Sequence, residues 1–266
     1  MFNPVQFVIW GLGRVNPASA PIDGVYPIPH SQIGKTPWNY LYGSVRRQTS
    51  DYWINWYYEN HYINSMTREQ YDEITRHWPR DGYATDCQGL LDAWLTYECG
   101  EQTDINADAN YRLWCSNVKP VTKTSTNFTI GEAVFMVKNN KATHVGWICG
   151  FAANGEPLVM EARSIRYGVM VTYLGSRPWT HRGLMTAKFD YDNVYEQPEF
   201  DRVKTPYAMG EPYRAMQYAL QTADWTDYEN KPVDTDGRWG PRSYSAFFKM
   251  INHYKDRDKV RKETHI

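Results

Sequence analysis

A run of apolar residues at helical spacing begins directly after Cys87, and it sets the first constraint on the fold. The residues that share one helical face are Leu90, Leu91, Trp94 and Leu95. No proline interrupts the run, so the pattern predicts a helix over residues 88–99 with the cysteine at its N-terminus. A thiol in that position lies near the positive end of the helix dipole and beside unpaired backbone N–H groups. Both features favour the thiolate over the thiol.

The periodicity changes after Gly131, where short apolar runs replace the helical pattern. The runs cover residues 133–137, 144–149, 157–162 and 169–173. Turn-forming pairs separate them, at Asn139-Asn140, Asn154-Gly155 and Tyr167-Gly168. This pattern predicts an antiparallel meander. Helices followed by strands indicate an α+β domain, with a candidate site where the helix start meets the sheet.

Several short motifs occur in a fixed order through this region. They are Tyr40-Leu41-Tyr42-Gly43, Asp86-Cys87-Gln88-Gly89-Leu90, Gly131-Glu132-Ala133-Val134-Phe135, His144-Val145-Gly146 and Met160-Glu161-Ala162. Together they resemble the NlpC-type cell-wall cysteine peptidases, a papain-like family, over residues 33–185. Within that family the chain looks most similar to the lysins of bacteriophages of Gram-positive hosts. The resemblance implies helices packed on an antiparallel sheet.

The same resemblance implies catalytic roles for four residues. Cys87 would be the nucleophile, His144 the general base, and Tyr40 a hydroxyl that assists the oxyanion. Glu161 stands where the family carries a polar residue that orients the histidine, and a carboxylate there holds the ring and favours imidazolium. Two alternatives stay open: Tyr40 is an ordinary buried tyrosine, and Glu161 pairs with Arg163 or Arg166 and only braces its strand.

Four further residues next to these motifs are predicted to contact substrate. They are Trp38, Tyr42, Asp86 and Gln88. Gln88 departs from the serine that is common after the cysteine in the family. The change alters the polarity of the groove but removes no reacting atom.

We assign residues 1–186 to the catalytic domain, with an aromatic-rich insert at 44–85. Aromatic residues at 52, 53, 56 and 57 fit one helical face, and a second helix is predicted with Thr67 as its N-cap and Gln70 completing a capping box. The insert either walls a substrate groove or packs as a satellite core. Residues 1–32 are rich in proline and glycine and are predicted to wrap the domain as irregular chain.

The C-terminal part resembles a second known module. Residues 187–206 are polar and contain proline, and we interpret them as a linker. Residues 207–266 are similar to the small three-helix peptidoglycan-binding domain, because a helix at 213–221 is followed by Asp236-Gly237-Arg238-Trp239-Gly240-Pro241 and a helix at 244–251. The alternative is a helical lid that binds no ligand.

Composition argues against several other classes of protein. A net charge of −1 and a pI of about 6.7 give no electrostatic reason to expect nucleic-acid binding. No apolar run approaches the ~18 residues of a transmembrane helix, so no stable membrane association is expected.

The four cysteines show no metal-ligand spacing, and we predict no metal, no cofactor and no disulfide framework. The N-terminus lacks the basic segment of a secretory signal, which predicts synthesis in the cytoplasm and action on the wall after holin-type release.

These observations predict a peptidoglycan hydrolase with a Cys–His thiol mechanism. Its substrate would be an amide bond of the wall stem peptide, cut as a D,L-endopeptidase. Three alternatives stay open: a muramoyl-L-alanine amidase of the same fold, a non-catalytic wall-binding or virion structural protein, and a thiol hydrolase or acyltransferase with a non-wall substrate.

Overall fold

The structure is a computed structural model, and it describes residues 1–22, 24–28, 30–122, 125, 127–152, 155–192, 208–209, 211–227, 229–239 and 241–253. Its α-helices are α1 (Pro4–Leu12), α2 (Asp51–Tyr57), α3 (Arg68–Thr75), α4 (Gly89–Tyr97), α5 (Ala107–Ala109), α6 (Glu211–Thr222) and α7 (Pro241–His253). Its strands are β1 (Asn39–Tyr40), β2 (Arg47–Gln48), β3 (Tyr83–Thr85), β4 (Ser116–Pro120), β5 (Ala133–Lys138), β6 (Lys141–Phe151), β7 (Pro157–Ser164), β8 (Gly168–Tyr173), β9 (His181–Leu184), β10 (Ala208–Met209) and β11 (Arg238–Trp239). Turns of π-helix follow α2 and α5, at Tyr58–Tyr62 and Asn110–Trp114, and turns of 3-10 helix lie at Pro17–Ser19, His30–Gln32 and Leu174–Ser176.

A six-stranded sheet forms the centre of the part of the chain before residue 187. Its strand order is β4-β9-β5-β6-β7-β8, and every neighbouring pair is antiparallel. The four predicted strands are the consecutive meander β5 to β8, so this prediction is confirmed. The first hairpin turns at Asn139 and Asn140, with φ of 51° and 59°, and the left-handed conformation of both residues matches the twist of the flanking strands. The chain is therefore a mixed α/β protein with an antiparallel sheet.

The N-terminal segment differs from the irregular chain predicted for residues 1–32. The side chain of Asn3 caps α1 and a proline occupies its first turn, which are ordinary signals for the start of a helix. Phe7 of α1 lies 5.6 Å from the Trp94 ring of α4 and 5.1 Å from the Trp147 ring of β6, measured between ring centroids. Helix α1 therefore fills the space between α4 and the sheet. The prediction was wrong because the average content of proline and glycine concealed a nine-residue helix.

The insert folds as a helical unit with a small core of its own. The buried residues of this core are Leu41, Ile54, Tyr57, Tyr62, Tyr71, Ala84 and Ile165. Helix α3 begins with the predicted capping box, because the Thr67 and Gln70 side chains each accept a hydrogen bond from the other residue's backbone N–H. Strand β3 then pairs with β1 in parallel and with β2 in antiparallel fashion. This pairing returns the chain from the insert to the segment that precedes α4.

The C-terminal part has a separate buried cluster, formed by Leu220, Val233, Ala246 and Met250. The Gln217 amide of α6 donates to Ser243 Oγ at 2.7 Å and accepts from the Gly237 N–H at 2.7 Å, which ties α6 to the turn and to α7. Two helices and the pair β10–β11 occur in its described residues, so the three helices of the predicted module are not matched there. Most of the predicted linker, residues 193–206, lies outside the described part of the chain.

No helix in the described ranges is both long and apolar enough to span a membrane.

Candidate active site

Cys87 lies between β3 and α4, at the start of the helix, as the sequence predicted. Asp86 fixes this corner: its Oδ1 accepts from the Gly89 N–H at 2.6 Å and its Oδ2 accepts from the Gly43 N–H at 3.1 Å. One contact satisfies an unpaired donor of the helix start, and the other holds the turn that follows Tyr40. Asp86 was predicted to contact substrate, but in the structure both of its oxygens bind backbone groups.

Gly89 explains part of the Cys-x-Gly motif. A Cβ atom built at this position would lie 2.1 Å from the Ser44 carbonyl oxygen. The helix start therefore packs directly against the backbone of the turn formed by residues 41–44. Only glycine permits this close approach.

The thiol of Cys87 is partly buried, and its pKa moves in the direction opposite to the one expected from a helix N-terminus. Burial, followed by the negative charge of Asp86, raises the pKa of the Cys87 thiol to about 12, although hydrogen bonds from the backbone of Val145 and Gln88 lower it. The resting form is thus the neutral thiol. The contact with Val145 also places the sulfur beside the strand residue that follows His144.

Tyr40 lies next to the cysteine, because it pairs with Thr85 in the parallel pair β1–β3. Burial raises the pKa of the Tyr40 phenol well above its ordinary value, and the neighbouring acidic groups, Cys87 and Asp86, act in the same direction. The hydroxyl therefore stays protonated and can donate a hydrogen bond. A donor next to the sulfur is what an oxyanion requires.

His144 of β6 is held by Glu161 of β7, with 2.7 Å between His144 Nε2 and Glu161 Oε2. The Glu161 side chain is fully buried and that of His144 is 12% exposed. Burial by itself raises the pKa of Glu161, but hydrogen bonds from His144 and Arg177 outweigh it and hold the pKa below its ordinary value. The contact uses Nε2, so Nδ1 is the ring nitrogen that is not engaged by Glu161. Cys87 and His144 are not hydrogen-bonded to each other in the described contacts, a looseness that is common before substrate binds.

Arg177 is a residue of the candidate site that sequence reasoning missed. Its Nε and a terminal nitrogen donate to the two Glu161 oxygens at 3.0 and 3.1 Å, and Thr172 Oγ1 donates to Oε1 at 2.9 Å. The expected rival partner, Arg163, instead lies over the Tyr167 ring at 4.3 Å. Arg177 follows the 3-10 turn after β8, and no local pattern links it to Glu161.

Trp179 covers the histidine. Its ring lies 5.6 Å from the His144 ring at an interplanar angle of 16°, and the side chain is 5% exposed. Gly146 allows this stacking, since a Cβ there would lie 3.0 Å from Trp179 and 2.6 Å from Val159. The indole shields the His144–Glu161 contact from water, which strengthens the interaction between these groups.

Gln88 and Trp38, both predicted to contact substrate, lie in the interior. Gln88 is 1% exposed, and its amide donates to Asp92 at 3.0 Å and accepts from Asn110 at 2.8 Å. Trp38 is 6% exposed and packs edge to face on Trp10 at 5.3 Å. Neither position fits the predicted contact with substrate. The Gln88 side chain is enclosed in a buried polar network, and the Trp38 side chain is packed in the apolar core.

Tyr42 is the one residue of the predicted substrate set that presents a large side chain to solvent, with 61% exposure. Its backbone N–H donates to the Tyr62 hydroxyl at 3.1 Å, and its ring lies 5.8 Å from the His61 ring, measured between centroids.

Asp92 lies beneath the site and is fully buried. Burial raises the pKa of its carboxyl to about 7, against the lowering effect of hydrogen bonds from Ile105 and Gln88. The described residues contain no group of three or more His, Cys, Asp or Glu that could hold a metal ion.

The arrangement provides a thiol at a helix start, a histidine oriented by a buried carboxylate, and a protonated phenol on the strand that pairs with the segment before the cysteine. Comparisons with protein-family models, curated proteins and solved structures found no match for this chain. The chemistry of the site therefore rests on its own geometry.

Proposed function

We propose that this chain is a thiol-dependent hydrolase of peptidoglycan that cleaves an amide bond of the stem peptide, as an endolysin-like D,L-endopeptidase. One observation carries the proposal. His144 is held at Nε2 by a buried carboxylate, and the sulfur of Cys87 lies beside the next residue of the same strand. The proposal assigns Cys87 as the nucleophile, His144 as its base and Glu161 as the group that orients the base, at the neighbouring strands β6 and β7.

In the proposed reaction His144 Nδ1 takes the thiol proton as the sulfur attacks the amide carbonyl carbon. The backbone N–H of Cys87 and the Tyr40 hydroxyl hold the resulting oxyanion. The C–N bond then breaks, and the imidazolium gives its proton to the leaving amine. Water, deprotonated by the same imidazole, hydrolyses the thioester and restores the thiol. Because the resting thiol is protonated, His144 acts as a general base rather than as half of a stable ion pair.

The peptidoglycan substrate is supported by the resemblances of residues 33–185 and 207–266 to two wall-associated families. Tethering by the C-terminal part would keep the catalytic domain at an insoluble substrate and raise its effective concentration there. Synthesis in the cytoplasm with later release to the wall belongs to the same proposal.

A zymogram on walls of several chemotypes, followed by mass spectrometry of the released fragments, tests the reaction. We expect Cys87→Ala to abolish lysis and Cys99→Ala, at another partly buried cysteine, to retain it. Fragments with a new stem-peptide terminus support the endopeptidase, whereas a free muramoyl group supports the amidase of the same fold. Lysis by Cys87→Ala would refute the thiol mechanism.

The wall-binding role of residues 207–266 has a separate test. Their deletion should weaken pull-down by insoluble walls more than it slows cleavage of a soluble stem peptide. Equal losses on both substrates would show that this part is only structural.

The absence of a Cys87–His144 hydrogen bond within the described residues favours one second candidate, a non-catalytic wall-binding protein that keeps the fold. Wall binding without any cleavage of walls or stem peptides would select it.

A further inference from the structure

The outer side of the insert carries five aromatic side chains that form a continuous surface, here called the aromatic ledge. Its members are Tyr42, Tyr52, Trp53, Trp56 and His61. Successive ring centroids are 5.8 Å apart for Tyr42–His61, 5.5 Å for His61–Trp56, 5.8 Å for Trp56–Trp53 and 5.1 Å for Trp53–Tyr52.

The ledge is exposed even though the insert has a buried core of its own. Tyr42 is 61% exposed, Tyr52 67% and Trp56 36%. The inner residues Ile54 and Tyr57 of the same helix supply the packing that the fold needs. Four of the five rings are exposed, whereas Trp53 is partly buried, packs against this core and carries the Arg47 guanidinium over its ring at 4.0 Å. Clustered exposed aromatic side chains of this kind are typical of binding surfaces.

The ledge is also held in place and joined to the candidate active site. The Tyr42 N–H is bound by the Tyr62 hydroxyl, and the next residue, Gly43, is bound by Asp86 beside the cysteine. His61 lies in the π-helical turn after α2, and such turns occur often at functional sites. The turn that carries Tyr42 is thereby hydrogen-bonded to the residue that precedes Cys87.

We propose that the aromatic ledge binds the sugar chain to which the cleaved peptide is attached. This inference rests on the proposed function, since a stem peptide at Cys87 brings its own glycan to a neighbouring surface. The five ledge residues include no Lys, Arg, Asp or Glu. They offer aromatic faces for the C–H faces of sugars, and phenol, indole and imidazole groups for the hydroxyls. The Arg47 guanidinium lies over the Trp53 ring at 4.0 Å, but a phosphate backbone requires several cations.

Binding to a sugar probe tests the ledge. The protein is the full chain with Cys87→Ala, and the probe is a peptide-free tetrasaccharide of alternating N-acetylglucosamine and N-acetylmuramic acid, titrated by calorimetry. We expect Tyr42→Ala and Trp56→Ala each to weaken binding about tenfold, the effect of losing one well-stacked ring. Leu113→Ala, which removes a side chain 72% exposed on the other π-helical turn, should leave the affinity unchanged.

Melting temperatures first establish that both variants are folded. The inference is overturned if the parent protein does not bind the tetrasaccharide, or if the variants bind it with the affinity of the parent. It is also overturned if the molecular mass of the particle in solution is lower for Trp56→Ala than for the parent, because the ledge would then be a surface between copies of the chain. Cleavage of a sugar-free stem peptide by the wild-type protein reports on the proposed function separately. If that peptide is cut and the tetrasaccharide is not bound, only the ledge inference fails.

Discussion

The contact between Glu161 and Arg177 gives the sharpest test of how the histidine is held. Four hydrogen bonds reach the two oxygens of Glu161: one from His144, one from Thr172 and two from Arg177. Glu161→Gln preserves the size of the side chain but removes its charge and one acceptor. Arg177→Gln removes the cation and leaves the carboxylate buried with His144.

The expected loss of stability follows from the burial of this pair. The Glu161 side chain is fully buried and that of Arg177 is 19% exposed. Breaking a buried ion pair from one side costs about 3–5 kcal/mol, and the partial exposure of Arg177 favours about 3 kcal/mol. In a domain of this size each kcal/mol lowers the melting temperature by about 2–4 °C, so each single variant should melt roughly 6–12 °C lower.

The double variant distinguishes the contribution of the ion pair to stability from its effect on catalysis. The double variant, Glu161→Gln with Arg177→Gln, leaves no uncompensated charge. Its loss of unfolding free energy should therefore be smaller than the sum of the losses in the two single variants. Turnover on a soluble stem peptide should not recover, since His144 still lacks its negative partner. Because neutral His144 is the proposed base, Glu161→Gln removes the charge that favours imidazolium and should move the acidic limb of the pH–rate profile to lower pH. Glu161→Ala should also lower turnover by about tenfold or more, because ring orientation is lost as well.

The assays are thermal unfolding of all variants and kcat/KM of the folded variants between pH 5 and 9. Additive losses of stability would refute the coupling of Glu161 with Arg177. A pH–rate profile that does not move in Glu161→Gln would show that Glu161 only braces its strand.

Three further outcomes are expected. Gly89→Ala should lower the free energy of unfolding by about 1–3 kcal/mol, because its Cβ would meet the Ser44 carbonyl, and denaturant unfolding measures this. Asp86→Asn should lower the pKa of the Cys87 thiol by removing a negative neighbour, so alkylation by iodoacetamide, followed by mass spectrometry, should begin at lower pH than in the wild-type protein. Burial raises the pKa of the Asp92 carboxyl to about 7 in the folded protein. The protonated carboxyl therefore stabilises the fold fully below about pH 4, and this stabilisation is lost as the pH rises through 7. Asp92→Asn should flatten the dependence of melting temperature on pH between 4 and 8.

Local patterns sufficed for the elements whose residues interact with near neighbours. The capping box at Thr67, the paired asparagines of the first hairpin and the apolar periodicity after Cys87 all act within a few residues. Each was predicted from the sequence and is present in the structure. Helix α1 carried equally local signals in Asn3 and Pro4, and averaging over a longer window hid them.

The site required contacts between distant segments, and there local patterns failed. Arg177 reaches Glu161 only because β7, β8 and the following turn fold together. Gln88 follows the cysteine in sequence, yet the direction of the helix start turns its side chain into a buried network with Asn110.

The sequence by itself determined the antiparallel meander, the helix that begins after the cysteine, and the choice of Cys87 and His144 as candidate residues. Only the tertiary structure decided the charge of the resting thiol. The helix N-terminus favours thiolate locally, but burial and the Asp86 carboxylate raise the pKa of Cys87. Periodicity and turn chemistry act through adjacent residues, whereas desolvation depends on which distant segments pack around the sulfur.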